Sequence, residues 1–499
     1  MRSLLVRRPD TVVWLLAGYF LLGFLIRVFV LPDALRVDES QQAFFSQWLT
    51  TGYDTQPPLF NWLQSIFVSI FGLSVATVAA PKSIVLFLLF VTYYKLAKLV
   101  LEDRLFAVIA TLTLLTIPQV FWQAQRDLTH TVMQMLMINL LLWSTIKTLK
   151  APSLASYLMI GVSLALGMMS KYNFALVVVG TLVAVWLHPE GKARLFDRRF
   201  LLSIAVSLLL LLPHGLWLIE NVGVASDRTL SMMATDAPAG ALAKFFKGPY
   251  EFFELVVVIL GPSFLIYSIV FGKPFIRNLR TSTLWSRFFD TVFVVIALSV
   301  LAMIFAIGIT AMRDRWMLPF LFIAPIAWCV KMEAGGVKSQ DFAKRFFWAP
   351  FVVMALTLPM FALRPTMPLL FGRYENLNIP YRDFVDQIVS AEGKRPGLLL
   401  TDGWLPSGNL HLQLPDVPAI STFFGNLKIG YEWTAEKPIL VAWFADDGKN
   451  VLPQSLDDWI RDNLGPQYVP ADVKSANVPY AHGRPEDTRA FGYVWIYPK

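Results

Sequence analysis

The chain has 499 residues, of which 56% are hydrophobic and only 16% are charged. Soluble domains carry about a quarter charged residues, so this composition excludes an ordinary soluble protein and indicates one embedded largely in lipid. The net charge of +8 does not indicate nucleic-acid binding, because most basic residues fall in short connections between apolar runs. Cys329 is the only cysteine, which excludes an intramolecular disulfide.

Apolar runs near the length of about 20 residues needed to cross a bilayer recur from Val12 to Leu363. Arg7 and Arg8 precede the first run, which predicts a retained signal anchor. Alternate connections are rich in Lys and Arg, which predicts a cytoplasmic N-terminus and an exported C-terminus. The pattern therefore predicts a polytopic α-helical membrane protein with about eleven spans, at 12–31, 82–101, 105–122, 129–148, 154–170, 174–188, 200–219, 252–272, 290–311, 316–332 and 346–363.

The first exported loop carries two segments that are too short to cross a membrane. In "PPLFNWLQSIFVSIFG" the apolar residues follow i, i+3, i+4 spacing, whereas Asn61, Gln64 and Ser65 fall off the apolar stripe. This pattern predicts an interfacial helix. A second one is predicted from Ser40 to Leu49, with Ala43, Phe44, Trp48 and Leu49 toward lipid.

The composition changes near Arg364, which divides the chain into a membrane domain at 1–363 and an exported domain at 364–499. In this tail "YRDFVDQIVSAEG" predicts a helix, and "GLLLTD" and "PILVAWFADDG" predict strands, the second ending in a turn. "SLDDWIRDNLG" predicts a second helix with Ser455 at its N-cap. A small α/β domain follows.

Charged residues gather at the predicted exported ends of the spans. Charges near membrane depth cost roughly 2.5 to 3.5 kcal/mol at a span centre, so those that persist often face a polar cavity. Nucleotide-binding and zinc-hydrolase motifs are missing, and the five histidines have no ligand spacing, so neither a metal nor a cofactor is expected. The gathered residues are Asp38, Glu39, Lys82, Arg126, Asp127, Lys171, Glu220, Arg313, Asp314 and Arg315.

This set of charges fits the transfer of a sugar from a polyprenyl-phosphate carrier to a hydroxyl acceptor. A carboxylate can take the proton of the acceptor, and fixed cations can bind the phosphate that leaves. Arginine suits a phosphate because its planar fork donates two parallel hydrogen bonds. Arg313 and Arg315 are therefore candidates for binding the donor phosphate.

Several motifs resemble a known family when taken in order: "RVDESQQ", "DTQPPLFNWL", "APKSIVLFLL", "QRDLTHT", "LGMMSKYNFAL", "LLPHGLWLIEN" and "RDRWMLPFLF". They resemble the GT-C glycosyltransferases related to protein O-mannosyltransferases and to the bacterial aminoarabinose transferase of lipid A. The resemblance implies that Asp38 is the catalytic base, with Glu39 beside it, and that Asp127 is a second acidic site residue. It also places Lys82 and Lys171 at the donor phosphate, although Ser170, Tyr172 and Asn173 depart from the family pattern around Lys171.

Each assignment has a structural alternative. Asp38 and Gln41 have the spacing of a helix capping box, and one of two adjacent carboxylates, here Glu39, generally points elsewhere. Arg126 and Asp127 could form a local surface ion pair. Lys82 and Lys171 could extend from span ends to the interface, and Arg313 and Arg315 could anchor an exported turn.

The sequence thus predicts an inverting, metal-independent glycosyltransferase of a bacterial inner membrane, with its active site facing the periplasm. Its expected partners are a polyprenyl-phosphate sugar donor, a lipid or glycolipid acceptor such as lipid A or lipopolysaccharide core, and membrane lipids, without nucleic acid. The alternatives are a flippase for a polyprenyl-linked lipid, a protein O-glycosyltransferase and a scaffold for envelope assembly.

Overall fold

The computed structural model describes residues 2–233, 241–445 and 451–499. Over these ranges the chain is mostly helical, and a single five-stranded sheet lies near the C-terminus. Asp446 and Asp447, which belong to the turn predicted after "PILVAWF", lie outside the described residues, as does part of the connection between the predicted spans at 200–219 and 252–272.

Helices account for every predicted span, although their boundaries differ by several residues. The α-helices are Arg2–Arg7, Val12–Phe29, Val37–Phe45, Leu59–Phe71, Val75–Val100, Arg104–Thr113, Ala124–Arg126, Thr129–Lys150, Leu154–Met168, Phe174–Leu187, Gly191–Leu195, Arg198–Glu220, Val222–Met233, Ala241–Phe271, Lys273–Asn278, Leu284–Met303, Asp314–Leu321, Ala324–Ala334, Ser339–Phe346, Trp348–Leu363, Pro368–Phe371, Tyr381–Glu392, Trp404–Gln413 and Gln454–Asn463.

Within the described ranges, eight helices are long and apolar enough to cross a membrane. The predicted span at 105–122 is broken instead, because Arg104–Thr116 and Gln119–Arg126 meet at a bend of 73°. The predicted spans at 154–170 and 174–188 are apolar helices of 15 and 14 residues, shorter than the usual crossing of about 20. The membrane character is confirmed, while the number of eleven spans and their orientation stay predictions.

The chain forms two compact units. The first unit comprises residues 1–21, 51–60 and 82–357, and the second comprises residues 22–50, 61–81 and 358–499. The second unit therefore combines the C-terminal residues with most of the first predicted exported loop. The domain border at residue 363 stays a prediction.

Leu59–Phe71 is the amphipathic helix expected from the sequence. Its polar side is buried, since Gln64 Nε2 donates to Thr77 O at 2.9 Å and Ser65 Oγ donates to Trp48 O at 3.0 Å. Ile66 and Ile70 are exposed on the other side, which suits contact with lipid.

The second helix predicted for this loop is placed differently. It runs from Val37 to Phe45, and the prediction that Ala43 and Phe44 face lipid is wrong. Both are buried, and the Phe44 ring stacks on Phe424 with centroids 5.6 Å apart. The sequence pattern could not show that the C-terminal part of the chain covers this apolar face.

The C-terminal sheet has five strands, β1 Leu398–Thr401, β2 Ala419–Ser421, β3 Ile439–Phe444, β4 Lys474–Pro479 and β5 Thr488–Ile496. Their order is β2-β1-β3-β5-β4, in which β1 pairs parallel with β2 and β3, and β5 pairs antiparallel with β3 and β4. The core beneath it contains Leu400, Val441 and Trp443, with Leu456 and Ile460 from the last helix. This confirms the α/β fold of the tail, but the predicted cap at Ser455 is wrong, because the helix already begins at Gln454.

Candidate active site

Asp38 lies in the first turn of the Val37–Phe45 helix and is half-buried. The N-cap is Arg36, whose backbone N–H donates to Glu39 Oε2 at 3.1 Å. The capping box predicted from Asp38 to Gln41 is therefore wrong, because the N-cap lies two residues earlier, at Arg36, and Glu39 supplies the capping carboxylate. A carboxylate in the first helical turn is stabilised by the positive end of the helix dipole.

Glu39 is buried in an ion pair with Arg27 of the first long helix. Arg27 Nη2 lies 2.9 Å from Glu39 Oε2, and the two side chains are 7% and 3% exposed. Arg27 Nε also donates to Glu39 Oε1 at 3.0 Å, and Nη1 and Nη2 donate to Pro32 O at 2.8 Å and Ala34 O at 3.0 Å. The sequence analysis missed Arg27, although a charge inside a predicted span is itself a signal, because such a charge is costly unless it is paired.

Two buried amides extend the polar surface of this helix. Gln42 follows Asp38 by four residues and so lies on the same helix face, and its Nε2 donates to Asn61 Oδ1 at 2.8 Å. Gln42 Oε1 and Asn61 Nδ2 are buried without a hydrogen-bond partner within the part of the chain that the structure describes. Buried polar groups are normally paired, so these two atoms offer one acceptor and one donor to water or to a polar ligand.

In the first unit, Lys171 joins three helix ends. It lies in the connection between Leu154–Met168 and Phe174–Leu187, and its Nζ donates to Thr131 Oγ1 at 3.0 Å and to Arg315 O at 2.9 Å. Asn173 reaches the same place, since its Nδ2 donates to Trp316 O at 3.2 Å. Lys171 and Arg315, predicted from distant motifs, are therefore neighbours.

A cavity of approximately 130 Å³ opens beside Lys171 and Arg315, which are the only charged groups among the described residues that line it. One part of its wall is polar and is formed by Thr55, Gln56, Lys171, Asn173 and Arg315. Another part is apolar and is formed by Leu176, Val300, Met303, Met317 and Phe320. This wall can accept an anionic group joined to a hydrocarbon chain.

Lys82 and Asp127 occupy a different place in the first unit. Lys82 Nζ donates to Arg126 O at 2.5 Å, directly before Asp127. Leu128 then adopts a left-handed conformation, with φ of 67°, which for a residue with a side chain costs on the order of 1 to 3 kcal/mol. Lys82 thus holds the strained connection that ends the broken helix. Neither Lys82 nor Asp127 is among the described residues that line the cavity.

Arg313 is exposed and is the N-cap residue of the Asp314–Leu321 helix. Asp314 Oδ1 accepts from the Arg315 backbone N–H at 2.7 Å, which caps the turn locally. Of the four predicted phosphate ligands, Lys171 and Arg315 therefore border the cavity, whereas Lys82 and Arg313 do not.

Asp54 and Arg228, which the sequence analysis did not select, form an ion pair next to residues of the cavity wall. Arg228 Nη1 lies 2.8 Å from Asp54 Oδ2, and Thr55 and Thr229, their chain neighbours, both line the cavity. Burial raises the pKa of the Asp54 carboxyl above its usual value, although Arg228 opposes the shift. The "DTQPPLFNWL" motif was the available signal for Asp54.

Comparison with known proteins identifies the family. Residues 55–217 match the family model described as dolichyl-phosphate-mannose-protein mannosyltransferase. Over 488 residues the chain is 35% identical to the lipopolysaccharide core galacturonosyltransferase RgtB of Rhizobium johnstonii, covering 97% of this chain and 96% of that protein. It is 34% identical to RgtA of the same organism over 498 residues, covering 99% and 98% of the two chains. The chain belongs to this galacturonosyltransferase family.

Solved structures show the fold of the family. ArnT from Cupriavidus metallidurans, solved with undecaprenyl phosphate, is 13% identical, with a TM-score of 0.60 over 97% of this chain and 98% of that one. The mycobacterial arabinofuranosyltransferase AftD gives a TM-score of 0.53 at 11% identity over 99% of this chain and 40% of that one. The GT-C membrane fold is confirmed, and this family member is an integral membrane glycosyltransferase.

Proposed function

We propose that the protein transfers a galacturonosyl residue from a polyprenyl-phosphate donor to the core oligosaccharide of lipopolysaccharide, at the periplasmic face of a bacterial inner membrane. The observation that carries this proposal is the similarity to both RgtA and RgtB over nearly the full length of all three chains. The names of these two relatives favour the lipopolysaccharide core over lipid A as the acceptor.

The cavity beside Lys171 supports a polyprenyl-phosphate donor. Its two cations suit a phosphate, because hydrogen bonds between ionised partners are roughly twice as strong as neutral ones. Its apolar wall suits the hydrocarbon chain attached to that phosphate. We assign donor-phosphate binding to Lys171 and Arg315, and we assign Lys82 to holding the connection at Arg126.

Asp38 is the proposed general base. Its carboxylate takes the proton of the acceptor hydroxyl, whose oxygen forms a bond with the anomeric carbon of the donor sugar. The bond between that carbon and the phosphate oxygen breaks, and the polyprenyl phosphate leaves with the bonding electron pair, so the configuration inverts in one step. Asp127 is proposed as a second acidic residue of the site, Glu39 as a residue that holds the helix, and no metal is required.

Transfer is tested in membranes that contain the wild-type protein. They receive polyprenyl-phosphate galacturonic acid, labelled in the sugar, and lipopolysaccharide that lacks the core uronic acid. Mass spectrometry of the product is expected to show a core fragment that is heavier by one uronic acid. Label on the lipid A fragment or on protein would show that the proposed acceptor is wrong. Labelled donor that only equilibrates between the leaflets would show that the protein is a flippase and not a transferase.

Lys171→Met tests the donor site, and Lys150→Met is its matched control. Lys150 also donates from Nζ to a backbone carbonyl, Leu99 O, but does not line the cavity. We expect Lys171→Met to raise the KM for the donor roughly 10-fold to 100-fold, which corresponds to the loss of a charged hydrogen bond. An unchanged KM in Lys171→Met would remove this residue from the donor site.

A further inference from the structure

The helix that carries Asp38 packs so closely on the C-terminal part of the chain that the two backbones are in contact. A Cβ atom added to Gly408, in the Trp404–Gln413 helix, would lie 1.9 Å from the backbone O of Ser40. Real Cβ atoms never approach an oxygen this closely, so only glycine lets the two helices meet here. The Ser40 hydroxyl completes the contact, since its Oγ lies 2.8 Å from Leu405 O and 3.1 Å from Trp404 O.

Asn409 fixes the chain directly before the helix. Its Oδ1 accepts from the Leu35 N–H at 2.6 Å, and its Nδ2 donates to Leu35 O at 3.2 Å. Both residues are fully buried. A primary amide is the side-chain group that donates and accepts at once in this geometry, so Asn409 holds Leu35 as a neighbouring β-strand would.

The other end of the helix is held in the same manner. Gln47 Oε1 accepts from the Ala419 N–H at 2.8 Å, and Gln47 Nε2 lies 3.2 Å from Ala419 O. Trp48 Nε1 donates to Lys428 O at 2.8 Å. The C-terminal part of the second unit therefore contacts the Val37–Phe45 helix and its flanking residues at three places, which are directly before the helix, at its middle and directly after it.

We propose that the exported C-terminal domain is the positioning element for the general base, and that Gly408 and Asn409 are positioning residues that set the place of Asp38. This inference rests on the proposed function. The carboxylate oxygen of a general base must lie within about 2.6–3.2 Å of the oxygen whose proton it takes, and a misplacement of 1 Å can cost about 100-fold in rate. Amide side chains join this domain to the chain on both sides of the helix that carries Asp38, through Asn409 before the helix and Gln47 after it. These contacts hold the Asp38 carboxylate within that distance.

Gly408→Ala tests the proposal in the full-length protein, and Gly430→Ala is its matched control. Gly430 lies in the same domain and has no atom within 4 Å of an added Cβ. We expect Gly408→Ala to lower kcat about 10-fold to 100-fold, with the KM for the donor within about twofold of wild type, because the helix shifts while the donor cavity is unchanged. Gly430→Ala is expected to keep the kcat of wild type.

Asn409→Asp is a second variant that keeps the acceptor oxygen for the Leu35 N–H and loses the donor. It is expected to lower kcat with an unchanged donor KM, and Asn409→Leu, which loses both hydrogen bonds, is expected to lower kcat further. Hydrogen exchange at β1 and β3 checks that the sheet is intact in each variant. If Gly408→Ala does not accumulate, the two Asn409 variants decide the outcome.

Two results overturn the proposal. One is a wild-type kcat in both Gly408→Ala and Asn409→Leu with an intact sheet, and the other is an equal loss of kcat and donor binding, which a general loss of structure produces. Failure of the proposed function is a separate result, because in that case the wild-type membranes do not transfer the uronic acid at all.

Discussion

Glu39 in the second unit and Lys171 in the first are both buried charges in a membrane protein, but their surroundings differ. Glu39 is enclosed by the Arg27 guanidinium and the Arg36 N–H. Lys171 donates to a hydroxyl and a carbonyl and borders a cavity with an apolar wall. A charge that protein encloses on every side can only hold other parts of the fold in place, whereas a charge on a cavity wall can also bind a ligand.

The comparison divides the predicted site residues by role. Glu39 and Lys82 each hold a backbone connection, at Arg36 and at Arg126 respectively. Lys171 and Arg315 border the space that a donor phosphate would need. Asp38 differs from its neighbour Glu39 in being half-buried, which leaves part of its surface accessible.

Asp38→Asn gives the largest expected effect on activity. Because general-base catalysis typically contributes about 100-fold to 10,000-fold, we expect kcat for sugar transfer to fall by that factor while the donor still binds. Asp33→Asn is the control in the same loop, where Asp33 forms a partly exposed ion pair with Arg382 at 2.7 Å. Full activity in membranes containing Asp38→Asn would remove Asp38 as the base.

Arg27→Met is expected to destabilise the second unit by about 3 to 5 kcal/mol, because it leaves the Glu39 charge buried without its partner. The double variant Arg27→Met with Glu39→Leu is expected to recover most of that free energy of unfolding, since no charge then remains buried. Chemical unfolding in detergent measures both. A Glu39→Gln variant that stays stable but loses transfer would instead give Glu39 a catalytic role.

His411 makes the stability of the C-terminal domain sensitive to acid. Burial lowers the pKa of its imidazole from 6.5 to about 4, and Val417 O accepts from the ring at 2.9 Å. Because the folded state disfavours the charged form, stability is complete above pH 6.5 and falls as the pH drops from 6.5 toward 4, by up to about 3 kcal/mol.

Hydrogen exchange of the Trp404–Gln413 helix measures this loss after correction for the intrinsic exchange rate. Wild type is expected to lose protection between pH 6.5 and pH 4, and His411→Gln is expected to show a smaller loss over the same range. An equal loss in both proteins would assign the acid sensitivity to other groups.

Arg315→Ala and Arg313→Ala give the smallest expected effects. Arg315 borders the cavity, so its removal is expected to raise the donor KM about tenfold, or about 1.4 kcal/mol. Arg313 is exposed, and its removal is expected to change the KM less than twofold. Donor titrations of transfer rate measure both, and the reverse order would exchange the two assignments.

The helices and the α/β character of the tail were predictable because hydrophobic periodicity is a local signal. The strand at Leu398–Thr401 and the helix at Tyr381–Glu392 were both correctly predicted. The apolar face of Val37–Phe45 was misassigned to lipid, because burial against Phe424, about 380 residues later in the chain, leaves no mark in a local pattern.

The candidate site also has features that the sequence predicted and features that only the packed structure revealed. Lys171 and Arg315 were predicted separately from their motifs, but their common cavity required the helices to pack. Arg27 was missed, although its position inside an apolar run carried the signal. The roles of Asp38 and Asp127 stay predictions, of which Asp38→Asn tests the first.

By itself, the sequence determined a membrane-embedded helical body and a small α/β fold in the C-terminal tail, and it supplied the prediction that this tail is exported, because composition, periodicity and short motifs are properties of neighbouring residues. Only the tertiary structure decided that Glu39 forms an ion pair with Arg27, and that the Trp404–Gln413 helix packs against the helix of Asp38 and binds Leu35 directly before it. Those contacts join residues far apart in the chain, and their distances are fixed by packing rather than by any local pattern.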